Sequence, residues 1–168
     1  MEQKTKVNAE NGKQELTITR DFDLPVELLF KAYEDPDIIA QVMTNPFATA
    51  KVKKFDGKKF GSYQIESTDA QGNVVFAANG TFHEFNPKKI IRTFEMANVP
   101  FGVQLETYEF EPLSDNTSRL TTHIIYESVA QRDEVLKMPF AQGLSMAHDR
   151  LQEIMKKASQ QSTVNSHQ

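Results

Sequence analysis

The chain has 168 residues, a formal charge of −4 at neutral pH and no cysteine, which is length enough for one domain with a sizeable core and short for two. Lack of cysteine excludes disulfides, thiolate nucleophiles and cysteine-ligated metals or iron–sulfur clusters. The opening MEQKTKVNAENGKQ has no apolar signal-type run, and no stretch approaches the roughly 18 apolar residues of a membrane span. A cytoplasmic protein without membrane insertion is the expectation.

Residues 1–13 and 158–168 are polar and aperiodic and are expected to be disordered ends, leaving 14–157 as a single domain. From Glu15, ELTITRDFD alternates with Leu16, Ile18 and Phe22 on one side, the mark of a half-buried strand. A short helix follows over Leu24–Phe30, with Pro25 in its first turn. Asp35-Pro36 then opens a second helix, Asp35 as cap and Pro36 at the first position, with Ile38, Ile39 and Val42 as its apolar stripe.

After Asn45-Pro46 the chain reads as strands near 49–55, 59–68, 74–85, 89–95, 103–112 and 119–127, separated by Asp56-Gly57, Gln71-Gly72, Asn86-Pro87 and Asp115-Asn116. Short connections make neighbours antiparallel, since parallel pairing needs long crossovers. Residues 139–157 place Phe140, Leu144, Ala147, Leu151, Ile154 and Met155 at helical spacing, one long helix of about five turns. The expected class is therefore α+β: a seven-stranded antiparallel sheet in the order β-α-α-β6-α, its apolar face covered by the last helix. Lys51, Lys53, Lys54, Lys58 and Lys59 straddle a turn and read as a solvated face, so nucleic-acid binding is not expected.

The phrases DLPVELLFKAYEDPDIIAQVM, VKKFDGKKFGSYQI, GTFHEFNPKKIIRTFE, YEFEPLSDNTSRLTTH and QGLSMAHDRLQEIM, in this order, span residues 15 to 157. They resemble the START-like (SRPBCC) superfamily, and within it the branch named after the homologue of the activator of the heat-shock protein ATPase. None is catalytic; they are packing and turn signatures. The resemblance implies a helix-grip fold with an internal cavity, used across the superfamily to carry lipids, hormones and aromatic polyketides and on occasion to catalyse. Tryptophans frequent in that branch are replaced here around Val42-Met43, Phe94 and Leu144, and the chain has none. The co-chaperone that names the branch also has an N-terminal domain without counterpart in this sequence, so ATPase activation is not carried over.

Strand parity nominates the lining of such a cavity. A two-residue loop at Gln71-Gly72 sets Ile65 opposite Ala78 and Tyr63 opposite Gly80, giving one face of Gly61, Tyr63, Ile65, Phe76, Ala78 and Gly80. Small residues across from aromatics suggest room left open, or a closely approaching helix. Ile90, Arg92 and Phe94 share an inward face, and a turn about Val99-Pro100 sets Arg92 opposite Glu106 and Phe94 opposite Gln104, with Tyr108 and Phe110 on the Glu106 face. The pair is readable as self-satisfied at the cavity mouth, as a solvated pair if the phase is one residue out, or as the group that orients a ligand. Leu120, Thr122, Ile124 and Tyr126 face inward, with Tyr126 near Glu106 or Tyr108; Leu144 and His148 come from the long helix, where a histidine is either a core or rim residue or one that looks into the cavity. His83 has no settled face, because a bulge near Gly80 would switch it.

No nucleophile with a base, carboxylate pair, HxH, HExxH or GxGxxG spacing is present, and neither a cofactor nor a metal is expected. The expectation is a binding or carrier protein for a small, largely hydrophobic ligand, monomeric or weakly dimeric. Two rivals are a cofactor-free cyclase using His148, Tyr126 and Glu106, and a co-chaperone-like module that meets a chaperone through the outer sheet.

Overall fold

The computed structural model describes residues 3–166, so His167 lies outside the described residues. Its first element is a three-residue strand β1 (Lys6–Asn8), followed by β2 (Glu15–Phe22), α1 (Val26–Glu34), α2 (Pro36–Met43), β3 (Thr49–Phe55), β4 (Ser62–Thr68), β5 (Val74–Asn86), β6 (Lys89–Met96), β7 (Val103–Pro112), β8 (Ser118–Ile125), α3 (Val129–Leu136) and α4 (Phe140–Asn165). The strands form one antiparallel sheet in the order β1-β2-β8-β7-β6-β5-β4-β3. The fold is α+β with a long C-terminal helix, as expected, but the sheet has eight strands instead of seven.

The extra strand comes from the segment expected to be disordered. Val7 pairs with Ile18 across β1 and β2, and the turn between them is closed by the glycine-compatible φ of +77° at Gly12. Arg132 of the unforeseen helix α3 donates from Nη1 to the carbonyls of Glu10 at 2.5 Å and Glu15 at 3.1 Å, holding both ends of that turn. At the other terminus α4 continues eight residues past the expected end at 157 and runs to Asn165. The apolar stripe ends at Met155, and the polar residues beyond it still favour helix. Apolar periodicity marks where a helix is buried, not where it stops.

The first two helices begin as their sequence dictates. Pro25 precedes α1, and Asp35 Oδ1 accepts the Asp37 amide at 3.0 Å at the start of α2, with Pro36 where its missing N–H costs nothing. Arg150 of α4 donates to the Val42 carbonyl at 2.9 Å, capping an open carbonyl at the end of α2 and tying the two helices together. Lys51, Lys53 and Lys54 lie exposed on β3, an outer strand whose charges oppose pairing with another sheet.

The β4–β5 hairpin corrects one detail. Asp69 and Asn73 close a three-residue loop with Gly72 at φ +84°, not a two-residue turn at Gln71-Gly72. A bulge between Ser67 and Thr68 absorbs the difference, so Ile65 still faces Ala78 and Tyr63 still faces Gly80. His83 sits at a second bulge, between Phe82 and Glu84, and is exposed. The inward face of the sheet, α1 and α4 enclose one core cluster that includes Phe22, Leu29, Phe82, Leu120, Leu151 and Met155; a second, around Leu16, Ile18, Ile124, Tyr126 and Val135, lies under α3 and the start of α4.

Candidate functional site

A pocket of about 250 Å³ lies between the inward face of the sheet and the helices. Its strand wall is made by Ile18, Ile65, Arg92, Phe94, Glu106, Tyr108, Thr122 and Ile124; α1 adds Ala32 and Tyr33, α2 adds Ile39, Val42 and Met43, and α4 adds Phe140, Leu144, Ala147, His148 and Leu151. The helical contribution follows from spacing: Phe140, Leu144, Ala147, His148 and Leu151 recur at three and four, so they share one face of α4.

A hydrogen-bonded polar island interrupts this wall. Register sets Arg92 opposite Glu106 and Phe94 opposite Gln104, and Arg92 Nε donates to Glu106 Oε1 at 2.8 Å. Arg92 Nη2 donates to the Tyr108 hydroxyl, and that hydroxyl donates to Glu106 Oε1, each at 2.8 Å. Gln104 Nε2 completes the carboxylate with a 2.8 Å bond to Oε2. The Glu106 side chain is 6% exposed and that of Arg92 19%, so this charge pair is held where neither partner could be left alone. The guanidinium also lies over the rings of Tyr63 at 4.8 Å, Tyr108 at 4.9 Å and Phe94 at 5.7 Å. Burial raises the Tyr108 hydroxyl well above its ordinary pKa, and the nearby Glu106 carboxylate adds to the rise while Arg92 opposes it. The hydroxyl thus stays protonated and keeps donating.

The second polar feature is His148 of α4, 3% exposed. Its Nδ1 lies 2.8 Å from the Thr5 hydroxyl, which also accepts from Arg20 Nη1 at 3.4 Å. Arg20 is itself buried and meets Asp149 Oδ1 at 2.9 Å. Burial first, and the Arg20 charge second, lower the His148 pKa to about 4, so the imidazole is neutral at physiological pH.

Of the residues nominated from sequence, Arg92, Phe94, Glu106, Tyr108, Leu144 and His148 line this pocket, and Tyr63, Phe76, Phe110 and Tyr126 do not. Tyr63 stands behind Arg92 and donates to the Thr93 carbonyl at 2.6 Å. A Cβ on Gly80 would come within 2.6 Å of that hydroxyl and 1.9 Å of the Thr93 oxygen, so the small residue makes way for Tyr63 and the neighbouring strand and does not leave open room. Phe110 is packed between Phe30 and Tyr33, at 5.3 and 5.4 Å. Phe76 is half-buried with its ring 6.5 Å from that of Phe94. Tyr126 belongs to the second core cluster, with its hydroxyl sealed and unpartnered. Arg20 and Tyr33 were not nominated. Parity with Leu16, Ile18 and Phe22 marks Arg20 as inward; Tyr33 carries no comparable sign, because α1 is too short for its stripe to be unambiguous.

The model of the family described as "Activator of Hsp90 ATPase homolog 1-like protein" matches residues 23–156. The chain belongs to this family. Among curated proteins none matches. Among solved structures, protein Ms6760 from Mycobacterium smegmatis is 24% identical with a TM-score of 0.79, over 89% of this chain and 95% of that one. A protein from Arthrobacter aurescens is 20% identical with a TM-score of 0.80, covering 90% and 91%. PFC0360w, an HSP90 activator from Plasmodium falciparum, is 20% identical with a TM-score of 0.52 over 74% of this chain and 88% of its own. Identities this low show a shared fold, which the family assignment extends to the packing of sheet and terminal helix described above.

Proposed function

We propose that the protein binds a small, largely apolar molecule in the pocket between sheet and α4. The observation that carries this reading is a wall of aliphatic and aromatic side chains broken by one ordered polar island, Arg92–Glu106–Tyr108, the composition that small-molecule sites share. Binding is favoured over catalysis because both oxygens of Glu106 already accept hydrogen bonds from the protein, three in all, and are poorly placed to take a proton from a substrate. Native mass spectrometry of protein purified from cells, followed by displacement of an apolar dye, tests it. A retained small molecule and saturable displacement are expected; absence of both defeats the reading.

A second reading is carried by the family and by its likeness to the Plasmodium HSP90 activator: docking to a chaperone through the outer sheet face, where Val103, Leu105 and Ile125 are exposed on neighbouring strands. Capture of a heat-shock chaperone by the purified protein in a pull-down, lost in Leu105→Glu, is the expected result. No capture removes it.

A further inference from the structure

The donors on the pocket wall outnumber the acceptors available to them. Arg92 commits Nε to Glu106 and Nη2 to Tyr108, and Nη1 has no hydrogen-bond partner among the described residues. It is not among the sealed, unpartnered polar atoms either, which are the Tyr126 hydroxyl and the Gln131 amide oxygen. Nη1 is therefore not sealed, and the pocket is the cavity that Arg92 lines.

His148 adds a second polar group to the wall. Its Nδ1 is engaged by the Thr5 hydroxyl, Nε2 has no partner among the described residues, and His148 lines the same pocket.

The charge in the wall is already balanced, since Arg92 and Glu106 are its charged members and they neutralise each other. A carboxylate entering here would set a second anion beside the buried Glu106, at the cost that like charges pay in a low dielectric. A pure hydrocarbon would seal the Nη1 N–H groups without an acceptor, which also costs binding. At about 250 Å³, the space falls just under the ~300–1,000 Å³ of pockets that hold drug-sized ligands, so a compact ring system suits it better than a long acyl chain.

We infer that the pocket selects an uncharged, compact apolar molecule bearing a hydrogen-bond-accepting oxygen, a ketone or similar carbonyl, over the corresponding acid anion and the corresponding hydrocarbon. This rests on the binding reading above and specifies its ligand class: the carbonyl oxygen takes the free N–H of Arg92, and the ring system fills the apolar remainder between Phe94, Val42 and Leu144.

Three probes of matched shape, substituted at the same ring position, test this on the intact wild-type chain by titration calorimetry near neutral pH: acetonaphthone, isopropenylnaphthalene and naphthoate. The ketone is expected to bind about tenfold or more tightly than either of the others, the loss that follows when a hydrogen bond to a charged donor goes unmade. Equal affinity for the hydrocarbon, or equal or tighter binding of the carboxylate, overturns the inference and leaves the binding function standing. If none of the three binds, the pocket takes no compact apolar molecule, and the proposed function falls together with the inference.

Discussion

Two guanidiniums turn inward from the sheet, Arg92 on the pocket wall and Arg20 buried beside it under His148 and Thr5, and they are neutralised in opposite ways. Arg92 finds its carboxylate directly across the β6–β7 ladder, on a Glu106 that is itself buried and bonded by two further side chains. Arg20 looks away from its own ladder, to Thr5 in the N-terminal segment and to Asp149 on α4, whose side chain is 64% exposed. One pair is a closed unit dictated by strand register; the other is a clasp assembled from three parts of the chain, with one partner in water. A buried charge thus needs compensation, but the compensating group need not be buried with it.

Breaking the closed unit should have the largest effect. Glu106→Gln leaves the Arg92 charge uncompensated in the interior, and chemical denaturation should show a loss of about 3 to 5 kcal/mol, as for other buried pairs that lose one partner. A loss under about 1 kcal/mol would mean that water already reaches the pair.

Next in size is the pH response on the Arg20 side. His148 has its pKa lowered to about 4 from the ordinary 6.5, so the unfolded chain binds a proton in a range where the folded one does not. Its stabilising contribution is complete above about pH 6.5, falls as the pH drops from 6.5 towards 4, and is level below that. Integrated over the window this amounts to up to about 3 kcal/mol. Denaturation midpoints of wild type and His148→Gln, followed across the window, should converge as the pH falls; parallel curves would sink the assignment.

Opening the clasp from its wet side should cost less. Asp149→Asn removes a partner that is mostly in water, and a change of about 1 kcal/mol or less is expected by the same denaturation measurement. The smallest effect belongs to Tyr126, whose sealed hydroxyl already lacks a partner. Tyr126→Phe removes an unsatisfied group and should leave the melting temperature unchanged or slightly raised, whereas a clear fall would reveal a hydrogen bond through bound water.

The same contrast explains what could be read from the chain before its structure. The Arg92–Glu106 pair follows from counting outward from Val99-Pro100, because antiparallel register is arithmetic once a turn is located. The β4–β5 register came out right although the turn type did not, since the bulge at Ser67 restored the count. Arg20 needed more than counting. Parity turns it inward, but Thr5 and Asp149 are brought to it by tertiary packing, which no local pattern encodes. Helix α3 was hidden for a related reason: VAQRDEVL has no extended apolar stripe, and what it contributes is Val135 to the second core cluster and one arginine on two distant carbonyls. Tyr63, Phe110 and Tyr126 were rightly placed on the inward face, yet inward is not the same as lining a space. Whether an inward ring borders a void depends on the side chains stacked before it, here Arg92, Tyr33 and the second core cluster.

The chain contains no tryptophan and four tyrosines, and Tyr33, Tyr63, Tyr108 and Tyr126 are all turned inward around the Arg92 network or the adjoining cluster. Burial raises the pKa of every one of them. The near-ultraviolet emission of this protein therefore originates entirely at or beside the pocket, so that quenching or enhancement on adding a compound reports occupancy without any label. Alkaline titration carries the complementary information: no tyrosinate absorbance should develop at the pH where a free tyrosine ionises, and its abrupt appearance at higher pH would time the collapse of the site itself.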